Sequence, residues 1–112
     1  MARLMCALAL MACDPGFRLY GSVVDARGVP LPGVKVALVC YGADQGSVMT
    51  DVKGMYSYSR VGAFGNNCEI QVRFRDEVAL AFDLLKYCIK THVRQTCVEV
   101  RIDVKLDRAI QP

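Results

Sequence analysis

The chain has 112 residues, of which 54% are hydrophobic and 22% charged, with nine glycines, four prolines, six cysteines and no tryptophan. That length holds one domain and excludes a multidomain enzyme, and the apolar content excludes a wholly disordered chain. A formal charge of +3 over scattered side chains is no nucleic-acid footprint, and no apolar run approaches the roughly 18 residues of a membrane-spanning helix.

The chain opens Met1-Ala2-Arg3 and then runs through nine apolar residues, Leu4 to Ala12, to Cys13-Asp14-Pro15. One positive charge, an apolar stretch and a small residue before an abrupt polar turn is the layout of an export signal, assigned to residues 1–12. Leu10-Met11-Ala12-Cys13 resembles the lipobox of bacterial lipoproteins, with Met11 larger than the residue usual there. The resemblance implies lipidation of Cys13 and a tether over residues 13–16. It also implies a membrane anchor in the periplasm or on the cell surface, with each buried acyl methylene worth about 0.8 kcal/mol. The competing expectation packs the apolar run on the domain, with Cys6 and Cys13 as small core residues.

From Phe17 onward the pattern has period two, punctuated by turn residues. Phe17 to Asp25 reads as a strand with Phe17, Leu19, Gly21 and Val23 on one face. Ala26 to Gly33 reads as a loop, because Pro30 and Pro32 lack amide donors and Gly28 and Gly33 tolerate a positive φ. Val34 to Tyr41 is a second strand, Gly42 to Gly46 a turn, and Ser47 to Thr50 extends again. Asp51-Val52-Lys53-Gly54 turns tightly into Met55 to Arg60, and Gly62 to Asn67 is a polar loop. Cys68 to Arg75 and Val98 to Leu106 are further strands. Between them, Val78, Phe82, Leu85 and Ile89 keep helical spacing, while Val78, Leu80, Phe82 and Leu84 alternate. A strand over 77–83 and then an irregular or single-turn helical segment carrying Cys88 is expected there. The pattern predicts an all-β fold, a small Greek-key β-sandwich of about seven strands over 17–108 with at most one short helix.

With Cys6 in the signal and Cys13 lipidated, Cys40, Cys68, Cys88 and Cys97 remain, and an even set in an exported domain fits two disulfides. Four cysteines allow three pairings. Parity puts Cys40 on the face of Val34, Val36 and Leu38, and Cys68 on that of Ile70, Val72 and Phe74, so the two can meet across a sandwich interior. Cys97 falls on the charged parity of Glu99, Arg101 and Asp103, away from that core, and Cys88 is its easier partner. Without export, all four would stay reduced. A metal reading competes, since Cys88, His92 and Cys97 are three potential ligands, but structural zinc sites want four and tighter pairs such as C-x-x-C.

Two phrases carry a family resemblance: Gly21-Ser22-Val23-Val24-Asp25-Ala26-Arg27-Gly28-Val29-Pro30-Leu31-Pro32-Gly33-Val34-Lys35-Val36 and Thr50-Asp51-Val52-Lys53-Gly54-Met55-Tyr56-Ser57-Tyr58. They resemble the carboxypeptidase regulatory-like domains, which share a transthyretin-like (prealbumin-like) sandwich. The family pattern is G-x-V-x-D-x-x-G-x-P-L-x-G-V-x-V followed by T-D-x-x-G-x-[YF]-x-[FY], and the likeness covers residues 17–75. The family's closing phrase, a glycine followed by an aromatic, is absent after Phe74. Cys40 and Cys68 also resemble the cysteines of pollen Ole e 1-like relatives. The resemblance implies tight turns at Gly28, Gly33 and Gly54, and a module that stabilises or positions a neighbouring domain, a role that a separate chain would take here.

No motif calls for catalysis. His92 is the only histidine, so a histidine-rich site like that of hydroxyisourate hydrolases cannot be built, and neither a G-x-S-x-G elbow nor a phosphate-cradling glycine motif is present. Asp25 and Asp51 precede glycine turns, where aspartate bonds local amides more readily than calcium. Arg73/Arg75 and Arg101/Lys105 form outward basic stripes, and Tyr41, Tyr56 and Tyr58 either complete cross-strand packing or line a ligand surface. The expectation is an exported lipoprotein module without enzymatic activity, cofactor or metal. It would bind a protein or carbohydrate partner at the cell envelope through a sheet edge or loop end, or serve as an accessory subunit of an envelope assembly. The alternative is a soluble metal- or small-ligand-binding protein using Cys88, His92 and Cys97.

Overall fold

The computed structural model describes residues 16–106, so the expected signal and Cys13 lie outside the described residues. Eight strands follow in chain order: β1 (Gly16–Val24), β2 (Lys35–Cys40), β3 (Ala43–Met49), β4 (Met55–Val61), β5 (Cys68–Phe74), β6 (Glu77–Asp83), β7 (Cys88–His92) and β8 (Thr96–Lys105). They form two four-stranded sheets, ordered β4-β1-β8-β7 and β3-β2-β5-β6, as a small β-sandwich. β2–β3, β5–β6 and β7–β8 are hairpins, and the remaining connections pass between the sheets. Neighbouring strands are antiparallel except β1 and β8, which run parallel.

Period-two alternation builds the interior. Phe17, Leu19 and Val23 from β1 and Val100, Ile102 and Val104 from β8 are buried with Val36, Leu38, Ile70 and Val72 of the other sheet. β2 is buried on both faces, with Ala37 and Val39 covered as well. On the outer face Arg73 of β5 reaches across β2 to Asp44 of β3 (Nη2 to Oδ1, 2.8 Å) and to Gln71 (2.6 Å). This polar strap roofs the small Ala37 and keeps water from a strand that carries no outward charge between Val36 and Cys40.

Two glycines in strands seat tyrosines. Gly21 lies opposite Tyr56 on one side and Ile102 on the other. A Cβ at Gly21 would run into the Ile102 carbonyl oxygen and come within 3.0 Å of the Tyr56 hydroxyl. The empty space lets the Tyr56 ring cross β1 and donate a 2.7 Å hydrogen bond to that same carbonyl. Gly46 makes room for Tyr58 in the same way. Both tyrosines thus stand on the core face of β4, and Gly46 lies within β3 instead of ending a turn.

The turns close on their own side chains. Asp25 Oδ1 accepts from the amides of Arg27 (2.8 Å) and Val29 (3.0 Å), and Asp51 Oδ1 from those of Lys53 and Met55 (both 2.9 Å). Gly28, Gly33 and Gly54 have positive φ, and at Gly54 a Cβ would also stand 2.6 Å from the Val23 carbonyl.

Disulfides join Cys40 to Cys68 and Cys88 to Cys97. Such bridges persist in an oxidising compartment. Cys97 departs from expectation, because it is fully buried in the core. Phe64 exchanges two backbone hydrogen bonds with it (3.0 and 2.7 Å), folding the 62–67 loop over the start of β8, and Val98 is buried beside it. The ambiguous stretch after Asp83 resolves into a 3-10 turn, Leu84–Tyr87, and then β7, an eighth strand that the sequence pattern did not reveal.

Candidate functional site

β2 and β3 are joined by Tyr41-Gly42 alone, at φ 53° and 75°, the pattern of a type I′ hairpin turn. Glycine suits that conformation. A tyrosine there costs on the order of 1 kcal/mol, and such strain collects at functional positions. Tyr41 is 81% exposed, so burial of its ring does not offset the strain. What holds it is its surroundings: its amide donates to the Asn67 carbonyl (2.8 Å), and the Cys40–Cys68 bridge ties the two segments one residue further in. The hairpin tip is thereby fixed against the loop before β5, with the phenol ring presented to solvent.

Beside it opens a groove of about 470 Å³ lined by Tyr41, Gly42, Asn67, Glu69, Phe82 and Asp83, within the range of small-ligand sites. Glu69 and Asp83 are direct partners in the β5–β6 register and sit on the outward parity, opposite the inward Ile70 and Phe82. Glu69 receives a 3.4 Å contact from Gln71, whereas Asp83 has no side-chain partner among the described residues. The Phe82 ring is set edge-on to Tyr87, centroids 5.2 Å apart. The groove thus offers an exposed aromatic face, a carboxamide and two carboxylates, and no cation. That set accepts hydrogen bonds from hydroxyl groups and stacks on a C–H surface.

A second, smaller hollow of about 250 Å³ lies by Arg18, Tyr20, Asp51, Met55, Tyr56 and Ser57. Most of its polar groups are already engaged, Tyr56 by the Ile102 carbonyl and Asp51 by the amides of Lys53 and Met55. The Tyr20 hydroxyl donates to Glu99 (2.8 Å), which holds that phenol above its ordinary pKa, and Arg18 stacks 4.3 Å over the ring.

Of the residues singled out in the sequence, Tyr41 alone of the three tyrosines reaches the groove, and Cys40–Cys68 anchors it. Tyr56 and Tyr58 are packing residues, and burial pushes the Tyr56 phenol well above its ordinary pKa. The metal reading loses its donors: Cys88 and Cys97 are spent in a disulfide, and His92 is exposed at the end of β7. The basic stripes are not stripes either, because Arg73 pairs with Asp44 and Arg101 with Asp103 (3.2 Å). Asn67, Glu69 and Asp83 escaped sequence reasoning. Their only signal was outward parity in neighbouring segments, which means nothing until the strand register is known.

No family model matches the chain, and no curated protein matches it. Several solved structures share its architecture, among them two dioxygenases. The dioxygenase domain of a dioxygenase carbohydrate-binding protein fusion from the cellulolytic bacterium Streptomyces sp. SirexAA-E aligns at TM-score 0.60 and 14% identity, over 88% of this chain and 84% of that one. Mercury-inhibited catechol 1,2-dioxygenase from Acinetobacter sp. ADP1 aligns at TM-score 0.52 and 16% identity, over 89% of this chain and 55% of its own. The chain therefore spans about half the length of that enzyme. The likeness establishes the fold.

It also corrects one expectation. A chain without enzymatic activity was anticipated, yet this sandwich is a scaffold on which dioxygenases are built, so neither fold nor size excludes catalysis. Non-haem iron oxygenases commonly hold their metal with two histidines and a carboxylate. His92 is the only histidine here, and no three His, Cys, Asp or Glu cluster among the described residues, so this donor set does not fit such an ion.

Proposed function

We propose that the chain is an exported, lipid-anchored module of the cell envelope that binds a carbohydrate in the groove beside Tyr41. The observation that carries this reading is the exposed phenol ring, held at positive φ by Asn67 and the Cys40–Cys68 bridge and flanked by Glu69 and Asp83. A pyranose has an apolar C–H face and a rim of hydroxyls. The ring takes the first, and the carboxamide and carboxylates take the second. The two disulfides support export. Leu10-Met11-Ala12-Cys13 supports the tether, and the phrases over 21–36 and 50–58 support kinship with the carboxypeptidase regulatory-like, transthyretin-like domains.

The test is titration of the protein with soluble oligosaccharides of differing composition, alongside Tyr41→Ala. Loss of an aromatic anchor is expected to weaken binding about tenfold or more, with no fall in Tm because the ring packs on nothing. A variant that binds as tightly as the parent, or a parent that binds no saccharide, sinks the reading. Intact mass of the chain from its native host checks the anchor separately. A start at Cys13, added acyl mass and a gain of about four hydrogens on reduction are expected.

A further inference from the structure

From Leu84 to Cys97 the sequence carries Lys86, Lys90 and Arg94 and no acidic residue. Those three charges equal the formal +3 of the whole chain, so the rest of the sequence is balanced. The fold lays this segment along one border: the 3-10 turn Leu84–Tyr87, then β7, which is the outer strand of its sheet, then the 3-10 turn Val93–Gln95. Lys86, Lys90 and Arg94 are all exposed and make no ion pair among the described residues, whereas Arg73 and Arg101 are each paired with an aspartate. Between the cations stand Tyr87, Ile89 and Val93, 40%, 55% and 67% exposed. Cations interleaved with exposed aromatic and aliphatic side chains make a surface suited to an anionic interface, where headgroup phosphates take the charges and the interfacial layer takes the apolar tips.

Its place in the fold points the same way. β1 runs parallel to β8 with Arg18 opposite Glu99, so Gly16 lies level with the first residues of β8 and near the Val93–Gln95 turn that leads into it. Cys13 precedes Gly16 by three residues, a reach of at most about 11 Å. A lipid on Cys13 would therefore hold this end of the sheet at the bilayer.

We propose that the β7 border, with its two flanking 3-10 turns, is a docking face for the anionic phospholipid surface of a membrane. Lys86, Lys90 and Arg94 contact headgroup phosphates, and Tyr87, Ile89 and Val93 settle among the headgroups. The closeness to the tether rests on the proposed lipidation; the charge complementarity does not.

The experiment uses the full chain carrying Cys13→Ser, so that no acyl chain contributes. It is sedimented with phosphatidylcholine vesicles and with vesicles containing about one third phosphatidylglycerol, at low and high salt. The readout is the preference for anionic over neutral vesicles compared between parent and variants, a comparison in which the contribution of the amino terminus with Arg3 cancels. The parent is expected to prefer anionic vesicles about a hundredfold at low salt and to lose the preference at high salt, and K86Q/K90Q/R94Q is expected to abolish it. Lys90→Gln and Arg94→Gln singly should each weaken it about fivefold, which keeps the test decisive should the triple variant not fold. No preference in the parent, or an unchanged preference in the variants, overturns the proposal. So does a sulfated polysaccharide that displaces the protein from anionic vesicles below the lipid concentration needed to bind it, which assigns the face to a glycan. Absence of acyl mass on the native chain with the vesicle preference intact removes the anchor and leaves the docking face standing.

Discussion

Tyr56 shows how one side chain ties three strands. Its ring starts on β4, crosses β1 over Gly21 and hydrogen-bonds Ile102 on β8 inside the core. Tyr56→Phe leaves that carbonyl without its donor and is expected to cost about 1–2 kcal/mol in urea unfolding, with the fold kept. Gly21→Ala is expected to cost more, several kcal/mol, because its Cβ meets backbone that cannot swing aside. The phenol also sets a pH dependence. Its folded pKa lies above the unfolded value, so its contribution is full below about pH 10 and is lost as pH rises beyond that. Stability measured upward from pH 9 should decline less steeply in Tyr56→Phe. Asp44 acts at the other extreme: its hydrogen bond to Arg73 depresses its pKa, so its contribution is present above the unfolded carboxylate pKa and fades as pH falls below it. Asp44→Asn should remove that acid-side dependence. None of these couplings is legible in sequence, where a tyrosine two residues from another reads as a packed pair, and the glycine it needs lies 35 positions away in a separate strand.

At the scale of elements, alternation made most strands legible, and parity turned Cys40 and Cys68 both inward, though they bridge as neighbours on β2 and β5 of one sheet and not across the interior. Parity failed for Cys97, because what buries it is not its own strand but the 62–67 loop laid over it through Phe64. β7 escaped for a related reason: its ladder to β8 shifts register twice, so its side chains never show a clean period. The two bridges should differ in worth. Chain entropy assigns about 3.5 kcal/mol to Cys40–Cys68, which closes 28 residues, and about 2.5 kcal/mol to Cys88–Cys97, which closes 9. Replacing each pair by alanines and comparing denaturant midpoints checks the order. The first replacement is also expected to weaken saccharide binding, since that bridge fixes Tyr41 against Asn67. Equal binding by the reduced and oxidised protein would show that the hairpin tip is set by its backbone alone.

The whole molecule gathers what the sequence scatters. The groove takes residues from three separate segments, around 41, 67 and 82, and Lys86, Lys90 and Arg94 follow one border while the groove carboxylates stand on the other sheet. Net charge read along the chain looks dispersed because outside Leu84–Cys97 the eleven cations are matched by eleven carboxylates. The pairing of β1 with β8 has a consequence for how the chain is made. These strands lie side by side in the middle of a sheet, and Ser22 bonds Asp103 across 81 residues of sequence. No partial length of chain can complete that sheet, so removing everything from Thr96 onward should leave a product without a cooperative melting transition. Contacts so distant also make for slow folding. A nascent chain of this design stays open until β8 has been synthesised, and an open chain is what a protein-conducting channel can thread.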